Sequence, residues 1–190
     1  MAITPNHIPQ KKLKEIWAQV PSDYYDLGIQ NNLLQKMWHS RKLAQVLKQL
    51  PKKPKPNLKI LDVGCSSAVL TTEIAKSLPK SKVTGLDSYK SAIDLAKKKY
   101  PHISFVVADA HKIPFKDNIF DILICTETLE HVVDPKGVLL EIKRVLKKDG
   151  AAIISMDSGS LPFRIIWYFG QKPKEKYGRM PTSTNLAQSF

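Results

Sequence analysis

Three carboxylates stand at or near the ends of short apolar runs. Asp62 falls in Lys59-Ile60-Leu61-Asp62-Val63-Gly64-Cys65, Asp87 closes Val83-Thr84-Gly85-Leu86-Asp87, and Asp109 closes the run over residues 103–109. Carboxylates accept hydrogen bonds and donate none, so acids gathered at one rim suit a ligand rich in hydroxyl and amine donors. Gly64 lies in the turn after the first run, where a residue without Cβ lets backbone approach a ligand closely. Glu130-His131 follows a fourth apolar run, Phe120–Thr126. The imidazole of His131 titrates near neutrality and is a candidate proton acceptor. Packing beneath the adjoining helix is the other reading of the same residue, and both stay open.

For these residues to meet, the runs must be neighbouring strands of one sheet. Apolar runs alternating with helical patterns mark a doubly wound α/β domain, whose ligands bind beyond the carboxyl ends of its parallel strands. Helical spacing joins Leu70, Ile74 and Leu78, and then Tyr89, Ala92, Ile93 and Ala96. A third helix is expected from Asp134 as N-cap, with Pro135 in the first turn, Val138, Leu139, Ile142, Val145 and Leu146 inward, and Gly150 as terminator. Residues 151–156 read as a fifth strand. Ahead of the sheet, Leu13, Ile16, Trp17 and Val20 suggest one helix, and the stripe Leu33, Met37, Leu43, Val46, Leu47 and Leu50 a second. The division expected is a helical appendage over 1–50, a Pro/Lys linker over 51–57, an α/β domain over 58–157 and a tail over 158–190.

The charge of +13 and a pI near 9.7 raise the question of nucleic acid. Lysine carries most of that excess, since Arg41, Arg144, Arg164 and Arg179 are the only arginines. Lysine is a point charge suited to solvated faces rather than to bidentate recognition of bases or phosphates. Lys97-Lys98-Lys99 and Lys147-Lys148 both fall in the last turns of expected helices, where cations complement the dipole. Nucleic acid is therefore the weaker partner, with peripheral contact to acidic membranes between the two. No stretch is long and apolar enough to span a bilayer, and residues 1–14 are polar, so a cytoplasmic protein is expected. Cys65 and Cys125 read as buried thiols, and no metal site is expected.

In order and spacing, the segments around Asp62-Val63-Gly64, Gly85-Leu86-Asp87 and Ala108-Asp109-Ala110 resemble the class I S-adenosylmethionine-dependent methyltransferases. Thr126-Glu127-Thr128-Leu129-Glu130-His131-Val132 resembles the small-molecule and lipid-modifying branch. The resemblance covers about residues 58–157. It implies a Rossmann-like, mainly parallel sheet of five strands in the order 3-2-1-4-5, with S-adenosylmethionine as cofactor and a small-molecule or lipid-like acceptor. It also implies cofactor contacts at Asp62, Gly64, Cys65, Ser66, Asp87, Asp109, Ala110 and Thr126, with Asp87 on the ribose hydroxyls and Asp109 on the adenine amine. The preceding helices resemble the lid of such enzymes, with Tyr24, Tyr25 and Trp38 as candidate contacts, core packing being the favoured reading of these aromatics.

The sequence departs from this family where glycines are usual. Ser66 and Ala68 stand two and four residues after Gly64, and a positive φ at Ser66 would cost about 1 kcal/mol. That departure counts further against a dinucleotide, whose pyrophosphate needs the glycine approach, and leaves a nicotinamide dehydrogenase a distant alternative. It also motivates a catalytically silent cofactor-binding domain as the second reading. An RNA-modifying methyltransferase is suggested by charge alone. Two further strands usual in the family have no counterpart pattern in 158–190, so a shortened form of a longer protein is expected. Leu161–Phe169 is then a candidate cover for the edge strand, or equally a substrate-pocket or membrane-facing helix.

Overall fold

A computed structural model describes residues 20–156. The Leu13 to Trp17 helix and the proposed cover over 161–169 lie outside the described residues, as does the side chain of Tyr25. The elements run α1 (Tyr24–Asn31), α2 (Leu33–Gln49), β1 (Lys59–Val63), α3 (Val69–Ser77), β2 (Lys82–Asp87), α4 (Lys90–Lys99) and β3 (Ser104–Val107). There follow β4 (Phe120–Thr126), a 3-10 turn (Leu129–His131), α5 (Pro135–Val145) and β5 (Leu146–Ser155).

The five strands form one sheet in the order β3-β2-β1-β4-β5, every pair parallel. Alternation along β1 sends its side chains to both faces. Leu61 and Val63 pack with Leu86, Leu123, Val138, Ile142 and Val145 under α5. Ile60 packs with Val83, Ile122 and Ile124 against Val46 of α2 and its C-cap Leu50 and Ile74 of α3 and its C-cap Leu78. Ile60, Leu61, Val63, Leu123 and Ile124 are fully buried, and each contributes about 1.5–3 kcal/mol of hydrophobic stabilisation. Burial on both faces is why these strands read as continuous apolar runs.

Helix ends follow local chemistry. The Asn32 side chain accepts the N–H groups of Leu34 and Gln35 at 3.0 and 3.1 Å and starts α2. Asp134 caps α5 as expected, its Oδ1 accepting Gly137 N–H at 2.9 Å with Pro135 in the first turn. Lys97, Lys98 and Lys99 lie in the last turn of α4. The helix α1, over Tyr24–Asn31, has no forerunner in the sequence reading.

Several expectations require correction, among them Leu139 of α5, expected inward and found exposed. Gly150 does not terminate a helix, because α5 stops at Val145 and Leu146 is already paired with Phe120 of β4. Ile122 then pairs with Ala151, so residues 147–150 bulge from the ladder. Lys147-Lys148 is thus in β5 rather than a last helical turn, and Lys147 Nζ reaches Asp121 Oδ1 at 2.6 Å. The first strand ends at Val63, not Cys65, where Gly64 turns the chain. The third strand ends at Val107, so Asp109 lies in the loop beyond it.

Candidate functional site

The carboxyl ends of β1, β2 and β4, the loop after β3 and one side of α1 and α2 enclose a cavity of about 250 Å³. Asp62, Gly64, Cys65, Ser66, Asp87, Asp109, Ala110, Thr126 and His131 all line it. Chain segments far apart in sequence thus bring these residues to one cavity. Tyr24 lines it as well, whereas Trp38 lies beneath Lys42, whose Nζ is 4.6 Å from its ring centroid.

Asp62 sits within β1, opposite Gly85 of β2 and Ile124 of β4, with 2% of its surface exposed. Its Oδ2 accepts the Thr71 hydroxyl of α3 at 2.6 Å. Burial pushes its pKa up to about 6, against the opposing pull of Thr71 and the Lys42 cation.

The turn from β1 into α3 is held against β2. Leu86 O accepts the N–H groups of Gly64 and Cys65 at 2.7 and 3.1 Å, and Asp87 Oδ2 accepts Ser66 N–H at 2.9 Å. Gly64, Ser66 and Ala68 all have positive φ, at 79°, 47° and 70°. A Cβ on Gly64 would collide with the Thr128 hydroxyl, which lies 3.2 Å from Val63 O and 3.1 Å from Thr126 O. Ser66 and Ala68 hold left-handed backbone that glycine adopts without penalty. Between them, Ser67 is 1% exposed, and its Oγ has no hydrogen-bond partner among the described residues. A buried hydroxyl in a cavity wall needs a partner from whatever fills the cavity.

Asp87 also accepts Tyr89 N–H at 2.8 Å on Oδ1. Burial raises its pKa, while the N–H groups of Tyr89, Ser66 and Ser88 act in the opposite direction. Each carboxylate oxygen has a second lone pair, so these bonds leave capacity for ligand hydroxyls. Asp109 Oδ1 accepts His111 N–H at 3.0 Å and meets His111 Nδ1 at 2.7 Å. The N–H of Asp134 points at His111 Nε2 at 3.3 Å, which assigns the ring proton to Nδ1. The cap of α5 thereby fixes the Asp109 carboxylate through one imidazole.

Past β4, Glu127 has φ 53° and its Oε1 accepts the Ser155 hydroxyl at 3.1 Å. His131 is held through its N–H to Thr128 O at 3.0 Å, and desolvation lowers its pKa to about 4, leaving a neutral imidazole at pH 7. Cys65 and Cys125 are free and buried, with Cys65 pushed well up and Cys125 to about 12 by burial.

Lys42, His39, Glu127, Ser67 and the second-layer His111 were not singled out from the sequence. Lys42 had a visible signal, as a lysine inside the apolar stripe of α2. His111 had none, since its role depends on the packing of α5 against the loop after β3.

The family described as Methyltransferase domain matches residues 54–166, more than half of the chain. A demethylmenaquinone methyltransferase of Lactobacillus johnsonii is 33% identical over 157 residues, spanning 79% of this chain and 62% of the relative. A ubiquinone biosynthesis O-methyltransferase of Actinobacillus pleuropneumoniae is 33% identical over 142 residues, spanning 70% and 58%. A crystal structure of a protein from Pyrococcus horikoshii OT3 superposes with a TM-score of 0.62 at 25% identity, covering 78% of this chain and 69% of that one. The chain spans about half the length of several curated relatives it matches. The family match contains all five strands and the whole carboxylate rim, and on that match the chain belongs to the methyltransferase domain family.

Proposed function

We propose that this chain binds S-adenosylmethionine in the cavity at the sheet edge and serves transfer of its methyl group to a small-molecule or lipid-like acceptor. The observation that carries the reading is the convergence of Asp62, Asp87 and Asp109 on one cavity beside the Gly64 turn. The donor set suits a nucleoside. Asp87 would hold the ribose hydroxyls, Asp109 the adenine amine with Ala110 beside the ring, and Asp62, Gly64 and Ser66 the amino-acid end. Cys65 and Thr126 would complete the contact surface. The buried Ser67 hydroxyl gains a partner in such a complex, which supports the fit.

When bound, the sulfonium supplies an electrophilic methyl group for direct displacement. What the chain supplies is alignment, worth as much as about 7–11 kcal/mol for well-placed reactants. A neutral His131 adds no cation beside the sulfonium. With a pKa near 4 it is a weak base, so a positioning role fits it better than proton removal. Val20, Ile29, Leu43 and Val132 add an apolar portion to the lining, which suits a lipid-like acceptor. The relatives named for demethylmenaquinone and ubiquinone biosynthesis support a quinone-type acceptor. A silent binding domain is the second reading, favoured by left-handed backbone at Ser66 and Ala68.

Radiolabelled methyl transfer into a cell extract tests the reading. Label recovered in an organic-soluble product is expected. Binding of the donor with no labelled product would favour the silent domain.

A further inference from the structure

Helix α2 presents a second face, turned away from the cavity. Leu33, Met37, Arg41, Ala44 and Lys48 recur every three or four residues and are all exposed. On the other side of the helix His39, Lys42 and Leu43 line the cavity and Val46 packs on the sheet. Leu33 is 72% exposed and Met37 46%, with Leu34 at 40% beside them and Leu27 of α1 at 44%. Only Asn32 separates the two helices, and a Cβ on Gly28 would meet the Gln35 side chain, so Leu27 lies at the same end of the pair as the leucines of α2. A lone exposed leucine is ordinary on a protein surface, whereas several large apolar side chains at one tip mark a contact surface.

The charge of this segment has one sign. From Leu27 to Leu61 the sequence has no Asp or Glu. Asp26, just before it, is paired with Lys99 at 3.0 Å. Arg41 and Lys48 lie within the exposed stripe, Lys36 flanks it, and Lys52, Lys53 and Lys55 follow in the exposed connector. Such a surface suits the boundary of a bilayer, where leucines enter the acyl region and long cationic side chains extend to the headgroups. Nucleic acid would account for the cations and not for the leucines. We propose that this face of α1 and α2 docks on an anionic lipid bilayer. Ser40 is exposed and also lines the cavity, so the rim of the cavity adjoins the docked face. Docking does not depend on what fills the cavity. For a lipid-like acceptor, as read above, it brings the source of that molecule to the rim.

Cosedimentation of the full 190-residue chain with vesicles tests the docking, using equal parts phosphatidylglycerol and phosphatidylcholine against phosphatidylcholine alone. Binding to the anionic vesicles is expected, weakening as salt rises. Each cation near such a surface is worth about fivefold in partitioning, so Arg41→Gln with Lys48→Gln should weaken binding roughly twentyfold. Leu33→Gln with Met37→Gln should weaken it about tenfold or more. Lys97→Gln with Lys98→Gln, which removes exposed cations of α4, should leave it within about twofold. Melting curves and adenosylhomocysteine calorimetry on the same variants report the fold and the cavity separately, and neither should change.

No vesicle binding, equal binding to both vesicle types, or equal losses from the α2 and α4 substitutions would overturn the inference. So would tighter binding to single-stranded RNA that Leu33→Gln with Met37→Gln leaves unchanged. Concentration-dependent dimers with the vesicles left unbound would also overturn it and assign the face to a second copy of the chain. Vesicle binding without adenosylhomocysteine binding would leave the docking in place and remove the cofactor reading.

Discussion

Asp87 Oδ2 accepts the backbone N–H of Ser66 at 2.9 Å, joining the end of β2 to the turn after β1. One carboxylate thus fixes the loop that would approach the amino-acid end of a donor while facing the space for its ribose. Without ligand, Asp87→Ala should leave the Ser66 and Tyr89 amides without their acceptor and cost about 1–3 kcal/mol. Faster hydrogen exchange at those two amides, with β4 unchanged, is the expected signature.

Ser66 and Gly64 both have positive φ but should respond oppositely to substitution. Ser66→Gly removes a left-handed penalty and should stabilise the fold by about 1 kcal/mol in urea denaturation. Gly64→Ala imposes that penalty and drives a Cβ into the Thr128 hydroxyl, so it should destabilise by more than Ser66→Gly gains.

Asp62 should make the protein less stable at neutral pH than its packing alone would allow. Its folded pKa of about 6 exceeds the ordinary 3.8, so between those values the folded state binds more protons than the unfolded one. Stability from this group therefore falls as pH rises through the window, by roughly 3 kcal/mol in all. Asp62→Asn should raise stability at pH 7, by less than that amount because the Lys42 attraction is lost too. The gain should fade below about pH 4, as denaturant titrations at the two pH values would show.

His39 and His131 act in the other direction. Burial lowers each from 6.5 to about 4, with Lys42 adding to the effect at His39. In that window the folded state binds fewer protons, so their contribution is complete above about pH 6.5 and is lost on acidification toward 4. His131→Gln should lose less stability than the unsubstituted protein between pH 7 and pH 5, measured by thermal melts.

What the sequence disclosed follows from where its signals are local. Asp87 was readable because an apolar run ends on it, and Asp134-Pro135 because a cap and a fixed φ are properties of adjacent residues. Gly150 misled because the apolar helical pattern continues through Leu146, whereas pairing with Phe120 captures that residue into β5. His111 and Glu127 join the cavity region through contacts with segments tens of residues away, and no spacing rule encodes those. The positive φ of Ser66 was foreseeable only as a condition, since serine does not announce it.

The central claim is that carboxylates at the strand ends hold the nucleoside of a methyl donor, and titration calorimetry with adenosylhomocysteine tests it most directly. The account predicts binding by the unsubstituted protein, no comparable binding of a nicotinamide dinucleotide, and loss of adenosylhomocysteine binding in Asp87→Ala. Affinity unchanged by Asp87→Ala, or preference for the dinucleotide, would contradict it.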